Sequence, residues 1–173
     1  MMKYCVDKYT AIVIILMMAL FHNIESAAVN EISSGNLQPG EYLIKSEIIV
    51  PQDSTLRIAA GTKLFFEQFT GIKVKGKLYC EGTVDSPITF TSIKDFGNRE
   101  EKAEAFDWNG VEISKESDTI TISNTKIKNS TYGVIIQDTV TRIKLENVEF
   151  TNIGDVTLSR KGEEIIIEDG KPF

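Results

Sequence analysis

Apolar and polar residues alternate in short runs along most of this 173-residue chain, and the runs themselves repeat. Ile120, Ile122, Asn124, Ile127, Asn129, Val134 and Ile136 recur as Ile143, Leu145, Asn147, Phe150, Asn152, Val156 and Leu158. The first five pairs keep an offset of 23 residues and the last two an offset of 22, which implies that a turn loses one residue. Alternation with period two belongs to a strand, not a helix. A repeat this short, made only of strands, predicts a solenoid whose turns stack on one another.

Three apolar faces can be assigned to each turn. One turn reads Leu56/Ile58, Leu64/Phe66, Ile72/Val74, and the next reads Leu78/Cys80, Ile88/Phe90, Val111/Ile113. A third reads Ile120/Ile122, Ile127, Val134/Ile136, and a fourth Ile143/Leu145, Val148/Phe150, Val156/Leu158. The pattern predicts an all-β parallel β-helix of four to five coils, 22–23 residues each, with three short strands per coil. The coil itself is then the crossover that parallel strands need. Glycines at or beside the corners supply unusual backbone conformations. Asn124 with Asn147, and Asn129 with Asn152, fall at equivalent corners, where stacked amides can form an internal ladder. Asn129-Ser130-Thr131 also matches a glycosylation acceptor, but a corner explains it more simply.

The ends read differently. Residues 1–28 carry Lys3 and Lys8, then the apolar run Ala11–Phe21, then small residues at Ser26–Ala28, the layout of a secretory leader too short to span a bilayer. Residues 29–50 are expected to give an N-terminal cap and an incomplete first coil around Tyr42–Val50. The β-helix proper then covers 51–160, with a loop excursion at 92–107 in which Arg99–Ala105 could form a helical turn. Ile165–Ile167 reads as the start of a fifth turn, so 161–173 is expected to be a partial last coil or a truncated end. An open end of this kind exposes unpaired edges and invites self-association.

Composition narrows the chemistry. The net charge is −6, and removing the leader leaves it unchanged, because Lys3 and Lys8 balance Asp7 and Glu25. An acidic, mixed surface argues against nucleic acid and, once the leader is cut, against membrane as partners. The one histidine, His22, and one of the two cysteines, Cys5, lie in the leader. The exported chain would thus hold no imidazole and a single Cys80, which rules out imidazole triads, His or paired-Cys zinc sites and an internal disulfide.

The strings TLRIAAGTKLFF at 55–66, GIKVKGKLYCEGTVDSPITFTS at 71–92 and WNGVEI at 108–113, followed by turns punctuated with Asn, resemble the right-handed parallel β-helix proteins of secreted bacterial type, the pectin-lyase-like group. The resemblance covers 37–158 and implies right-handed winding. In that group some members cleave acidic polysaccharides and others are surface or adhesive modules. Pectate lyase relatives hold calcium with clustered carboxylates and use Lys or Arg as base; polygalacturonase relatives use several Asp on neighbouring coils. The outward rows expected here are Lys73, Glu112, Ile135, Thr157; Arg57, Tyr79, Thr121, Lys144; and Phe65, Thr89, Lys126, Glu149. None stacks two carboxylates at adjacent levels, so no catalytic, metal or cofactor-binding residue is carried over.

The loop 92–107 is not explained by stacking. One reading is a solvated excursion whose aromatics pin it to the rod flank, with Trp108 in the core or at a strand edge; the other is a recognition site of Asp95, Phe96, Arg99 and Asp107 beside Trp108, whose indole could stack on a sugar ring. The expectation is a secreted or extracytoplasmic, non-catalytic module serving as surface scaffold, adhesive or carbohydrate-contacting domain, with a polysaccharide or cell-surface glycan as partner. The alternatives are a fragment of a polysaccharide lyase or hydrolase, and a structural repeat that assembles end to end through its C-terminal coil.

Overall fold

A computed structural model of the chain describes residues 27–29, 32–97, 100–137, 142–167 and 169–172. The leader expected at 1–28 lies outside the described residues, except for its last two positions. Its strands are β1 (Ala27–Val29), β2 (Gly35–Leu37), β3 (Glu41–Ile44), β4 (Ile48–Val50), β5 (Thr55–Ala59), β6 (Lys63–Phe66), β7 (Ile72–Val74) and β8 (Lys77–Glu81). They continue as β9 (Ile88–Ser92), β10 (Val111–Ile113), β11 (Thr119–Lys128), β12 (Val134–Ile136), β13 (Arg142–Thr151), β14 (Leu158–Arg160) and β15 (Glu163–Ile165).

Pairing sorts them into three faces. The first stacks β2, β5, β8 and the leading halves of β11 and β13. The second stacks β1, β3, β6, β9 and the trailing halves of β11 and β13. The third stacks β4, β7, β10, β12 and β14. Every one of these pairings is parallel, so the chain is an all-β parallel β-helix of about five turns, consistent with right-handed winding.

Inward columns are largely apolar, with Thr125 between Ile88 and Val148 and Ser92 beside Phe66 as buried exceptions. Leu56, Leu78 and Ile120 stack in one column, and Ile58, Cys80 and Ile122 in the next, all fully buried. Burial between two isoleucines pushes the Cys80 thiol pKa up, with a smaller push from Glu81. The ladder alternates in direction. Outward residues donate back to the preceding coil, as Lys63 N does to Gly40 O at 2.8 Å and Lys77 N to Ser54 O at 2.9 Å. Inward residues donate on to the next coil, as Ile48 N does to Gly71 O at 2.9 Å and Val134 N to Thr157 O at 3.0 Å.

Several expectations are corrected. The first coil is complete, because β2 supplies the first-face strand that Tyr42–Val50 lacked. Val134 pairs with Leu158 and Ile136 with Arg160, so the third-face offset is 24 and the turn gains a residue. Ser159, not Thr157, therefore follows Ile135 in the outward row. Leu64 pairs with Phe90, which puts Lys63 in the row with Thr89, and Phe65 is buried. Among the described residues of the loop, the one helical turn is a 3-10 turn at Ile93–Asp95, where Ser92 caps it by accepting from Lys94 N. The end is corrected too. Lys161 and Gly162 both have positive φ, 57° and 78°, and such a pair makes the tight turn of a hairpin. β15 therefore returns antiparallel to β14 and does not begin another coil. The segment beyond it crosses the last coil, with Gly170 N donating to Phe150 O at 2.6 Å and Pro172 bridging Glu149.

Corners set the spacing between strands. At Gly110, φ is 121° and an added Cβ would run into the carbonyl of Tyr132 in the next coil. Among the described residues one buried side-chain polar atom lacks a partner: the Ser130 hydroxyl, at a corner stacked on Trp108.

Two outcomes follow from this packing. Ile122→Asp places a charge among fully buried aliphatics and is expected to abolish the cooperative thermal transition. Ser130→Ala removes the unpaired hydroxyl and is expected to stabilise the fold by about 1 kcal/mol, read from denaturant unfolding.

Candidate functional site

The excursion leaves the helix after β9 and returns at Trp108, and its two ends are tied down. Lys94 Nζ lies 2.8 Å from Asp107 Oδ1, and Glu104 N donates to Asp107 Oδ2 at 2.9 Å. Burial alone would raise the Asp107 pKa. Hydrogen bonds from Lys94, the Glu104 amide and Ser92 outweigh it, so the carboxyl sits below the usual aspartate value. The same bond to Asp107 holds the Lys94 ammonium above its usual value against a smaller opposing effect of burial.

Asp95 serves the corner ladder. Its Oδ2 accepts from Thr91 Oγ1 at 2.5 Å and from Asn129 Nδ2 at 3.1 Å, with Lys128 Nζ at 3.9 Å. Asn152 Nδ2 donates to Asn129 Oδ1 at 2.8 Å, so a carboxylate ends this amide stack. The other stack runs from Asn147 Nδ2 to Asn124 Oδ1 at 2.6 Å and from Asn124 Nδ2 to Gly82 O at 2.9 Å. All four asparagines have φ between 45° and 62°, the left-handed conformation Asn tolerates best after Gly. Asn129 is 5% exposed with its amide nitrogen engaged, so the folded corner leaves no room for a glycan on it.

Trp108 takes the core placement, not the sugar platform. Its ring is fully buried, stacked on Phe66 at 4.2 Å between centroids, and Nε1 donates to Lys128 O at 2.8 Å. No indole face is open to a sugar. Phe96 packs edge-on against Phe65 at 5.1 Å, pinning the loop to the second face. Arg99 lies outside the described residues. The structure thus brings Asp95 to the ladder, Phe96 to the flank, Asp107 to the loop base and Trp108 to the core, not to one open pocket. Among the described residues, no cluster of three or more His, Cys, Asp or Glu could hold a metal ion.

Four outward carboxylates on the strands answer a cation one coil away. Glu41 pairs with Lys63 at 3.0 Å, Glu112 with Lys73 at 3.3 Å, Glu149 with Lys126 at 3.1 Å and Glu81 with Arg57 at 3.5 Å. The first face adds a row of Asn36, Arg57, Tyr79, Thr121 and Lys144, with the Arg57 guanidinium 4.0 Å above the Tyr79 ring. Sequence order showed this row, but only the register across coils put the guanidinium over the ring. Phe69 and Phe106 were not singled out as contact residues; both are exposed, at 79% and 57%, with positive φ. Neither carried a signal, since an aromatic residue rarely adopts that conformation.

Comparison with known proteins places this architecture. A family described as pectate-lyase like beta helix domain matches residues 30–154, well over half of the chain. The chain belongs to the pectate-lyase-like β-helix family. No curated protein and no solved structure gives a significant match. In this β-helix domain the match ends at Gly154, so the antiparallel β15 hairpin lies beyond it.

Three outcomes test this reading of the site. Trp108→Ala is expected to cost about 3–5 kcal/mol of stability through the cavity beside Phe66. Asn129→Gly keeps the backbone but loses the buried bonds and is expected to cost about 2 kcal/mol; Asn129→Ala should cost about 1 kcal/mol more from the left-handed backbone. The lowered Asp107 contributes stability that is full above the usual aspartate pKa, about 4, and is lost as pH falls through its folded value. The raised Lys94 contributes until pH climbs past the usual lysine value, about 10. The Glu104 amide resonance, followed by NMR, should hold steady across neutral pH and shift only below about pH 4.

Proposed function

We propose that this β-helix domain is an exported, non-catalytic module that contacts carbohydrate through its first face. The observation that carries the reading is the occupation of four outward carboxylates on the strands. Glu41, Glu81, Glu112 and Glu149 are each engaged by a lysine or arginine of the neighbouring coil. A carboxylate held in this way secures coil to coil and is a poor candidate for a shared-proton pair or a calcium ligand. The row around Tyr79 stays exposed, although its Arg57 and Lys144 also pair with Glu81 and Glu146. Arg57 covers one side of the ring, while the small Thr121 stands next in the row and Lys144 after it. Two strand spacings, about 10 Å, separate Tyr79 from Lys144, a gap across which a sugar ring could lie on the tyrosine with its acidic or hydroxyl groups toward the lysine. Export rests on the leader-like residues 1–28 and extends the reading to a secreted or cell-surface location.

The family's description favours a second reading, in which the domain is part of a polysaccharide lyase or hydrolase.

Binding is measured by titrating polygalacturonate and neutral glucans into the protein. An affinity for either that falls at least tenfold in Tyr79→Ala, with the melting temperature unchanged, is the expected result. Binding untouched by Tyr79→Ala and Lys144→Ala would sink the first-face site. Release of unsaturated or reducing ends from polygalacturonate would replace the binding reading with the enzyme reading.

A further inference from the structure

Two exposed phenylalanines share one edge of the solenoid, the corner between the second and third faces. In the second coil (β5–β7), Phe69 sits third in a turn closed by Thr70 N donating to Glu67 O at 3.2 Å. Its φ is 63°, a conformation for which turns usually take Gly, and Phe106 has φ of 70°. Hydrogen bonds trace the corner from coil to coil. Asn109 Nδ2 donates to Phe69 O at 3.1 Å, Tyr132 N to Asn109 O at 3.0 Å, and Asp155 N to Thr131 O at 2.8 Å. The Phe106 ring lies over Gly154 of the fifth coil, where an added Cβ would stand 2.6 Å from it. Three strand spacings, about 14 Å, thus separate the levels of the two rings. A left-handed backbone disfavours a bulky residue, and at 79% exposure Phe69 gains little packing in return.

We propose that this corner binds a neutral, linear polysaccharide running along the solenoid axis, with sugar faces on Phe69 and Phe106 and hydroxyls toward Asn109 and Tyr132. Area favours that occupant over a protein. Two partly exposed rings offer on the order of 200–300 Å² of apolar surface. A stable protein interface needs roughly 800 Å² from each partner. A narrow polymer needs only a line of contacts, and rings alternating with half-buried polar side chains supply one. Charge favours a neutral polymer. Asp155 is exposed on the corner, and the charges of Glu112 and Glu47 reach Tyr132, adding to burial in pushing its hydroxyl pKa up. The lysines beside it, Lys73 and Lys94, are each held by a carboxylate, Glu112 and Asp107. A uronate chain or an anionic membrane would be repelled there. The inference does not rest on the first-face site.

The test is calorimetric titration of the whole chain with cellohexaose, xylohexaose and mannohexaose, each beside its disaccharide. At least one hexasaccharide is expected to bind, and its disaccharide about tenfold more weakly, because the shorter sugar cannot reach both rings. Phe69→Gly removes ring and strain together, so it is expected to keep the melting temperature while weakening that affinity about tenfold. Phe106→Asn, which tolerates the same backbone, is expected to weaken it as far, and Phe106→Tyr to retain it. Polygalacturonate is expected not to displace the bound sugar. No affinity for any hexasaccharide, or affinity unchanged in both Phe69→Gly and Phe106→Asn, would overturn the corner site. Affinity lost in Tyr79→Ala alone would overturn it too, while leaving the first-face reading in place. Affinity kept in Tyr79→Ala and lost in Phe69→Gly would uphold the corner and count against the first face.

Discussion

The structure depends on one constraint: each coil must place apolar side chains directly over apolar side chains of the coil before it. A parallel ladder fixes residue over residue, so the inward columns Leu56–Leu78–Ile120 and Ile58–Cys80–Ile122 form together or not at all. Hydrogen-bond direction follows the same alternation. Outward residues tie back and inward residues tie forward, so every coil is bound to both neighbours along its length. A coil cannot slip by one residue without turning its whole apolar set to solvent.

Corners carry the second layer of specificity. Amide stacks at Asn124/Asn147 and Asn129/Asn152 combine a left-handed backbone with a bond along the axis, a double role open to few side chains. The excursion exploits this. Its Asp95 ends the Asn129 stack, and its return through Trp108 fills the core beside Phe66. The loop most suggestive of recognition is thus largely structural at its base, which moves attention to the flat row at Tyr79 and to the corner that bears Phe69 and Phe106.

Outward electrostatics reinforce the same stacking. Lys63–Glu41, Lys73–Glu112 and Lys126–Glu149 each join neighbouring coils across exposed or half-exposed surface. Each such pair contributes about 0–1 kcal/mol, so their weight lies in fixing register and in occupying carboxylates more than in stability.

By itself the sequence determined the fold class, the three faces, the burial of Cys80 and the equivalence of the four corner asparagines. These follow from local periodicity, and in a solenoid local periodicity is also the long-range contact pattern. It misjudged the third-face offset after Val134, because the residue gained lies in a turn where nothing alternates. It left Trp108 between core and sugar platform and read 161–173 as a partial last coil or truncated end for a related reason. Whether an aromatic points in or out after a 16-residue excursion, and whether Lys161-Gly162 reverses the chain, depend on backbone conformations that carry no period. Only the tertiary structure decided those, by bringing Phe66 under the indole and Leu158 beside Ile165.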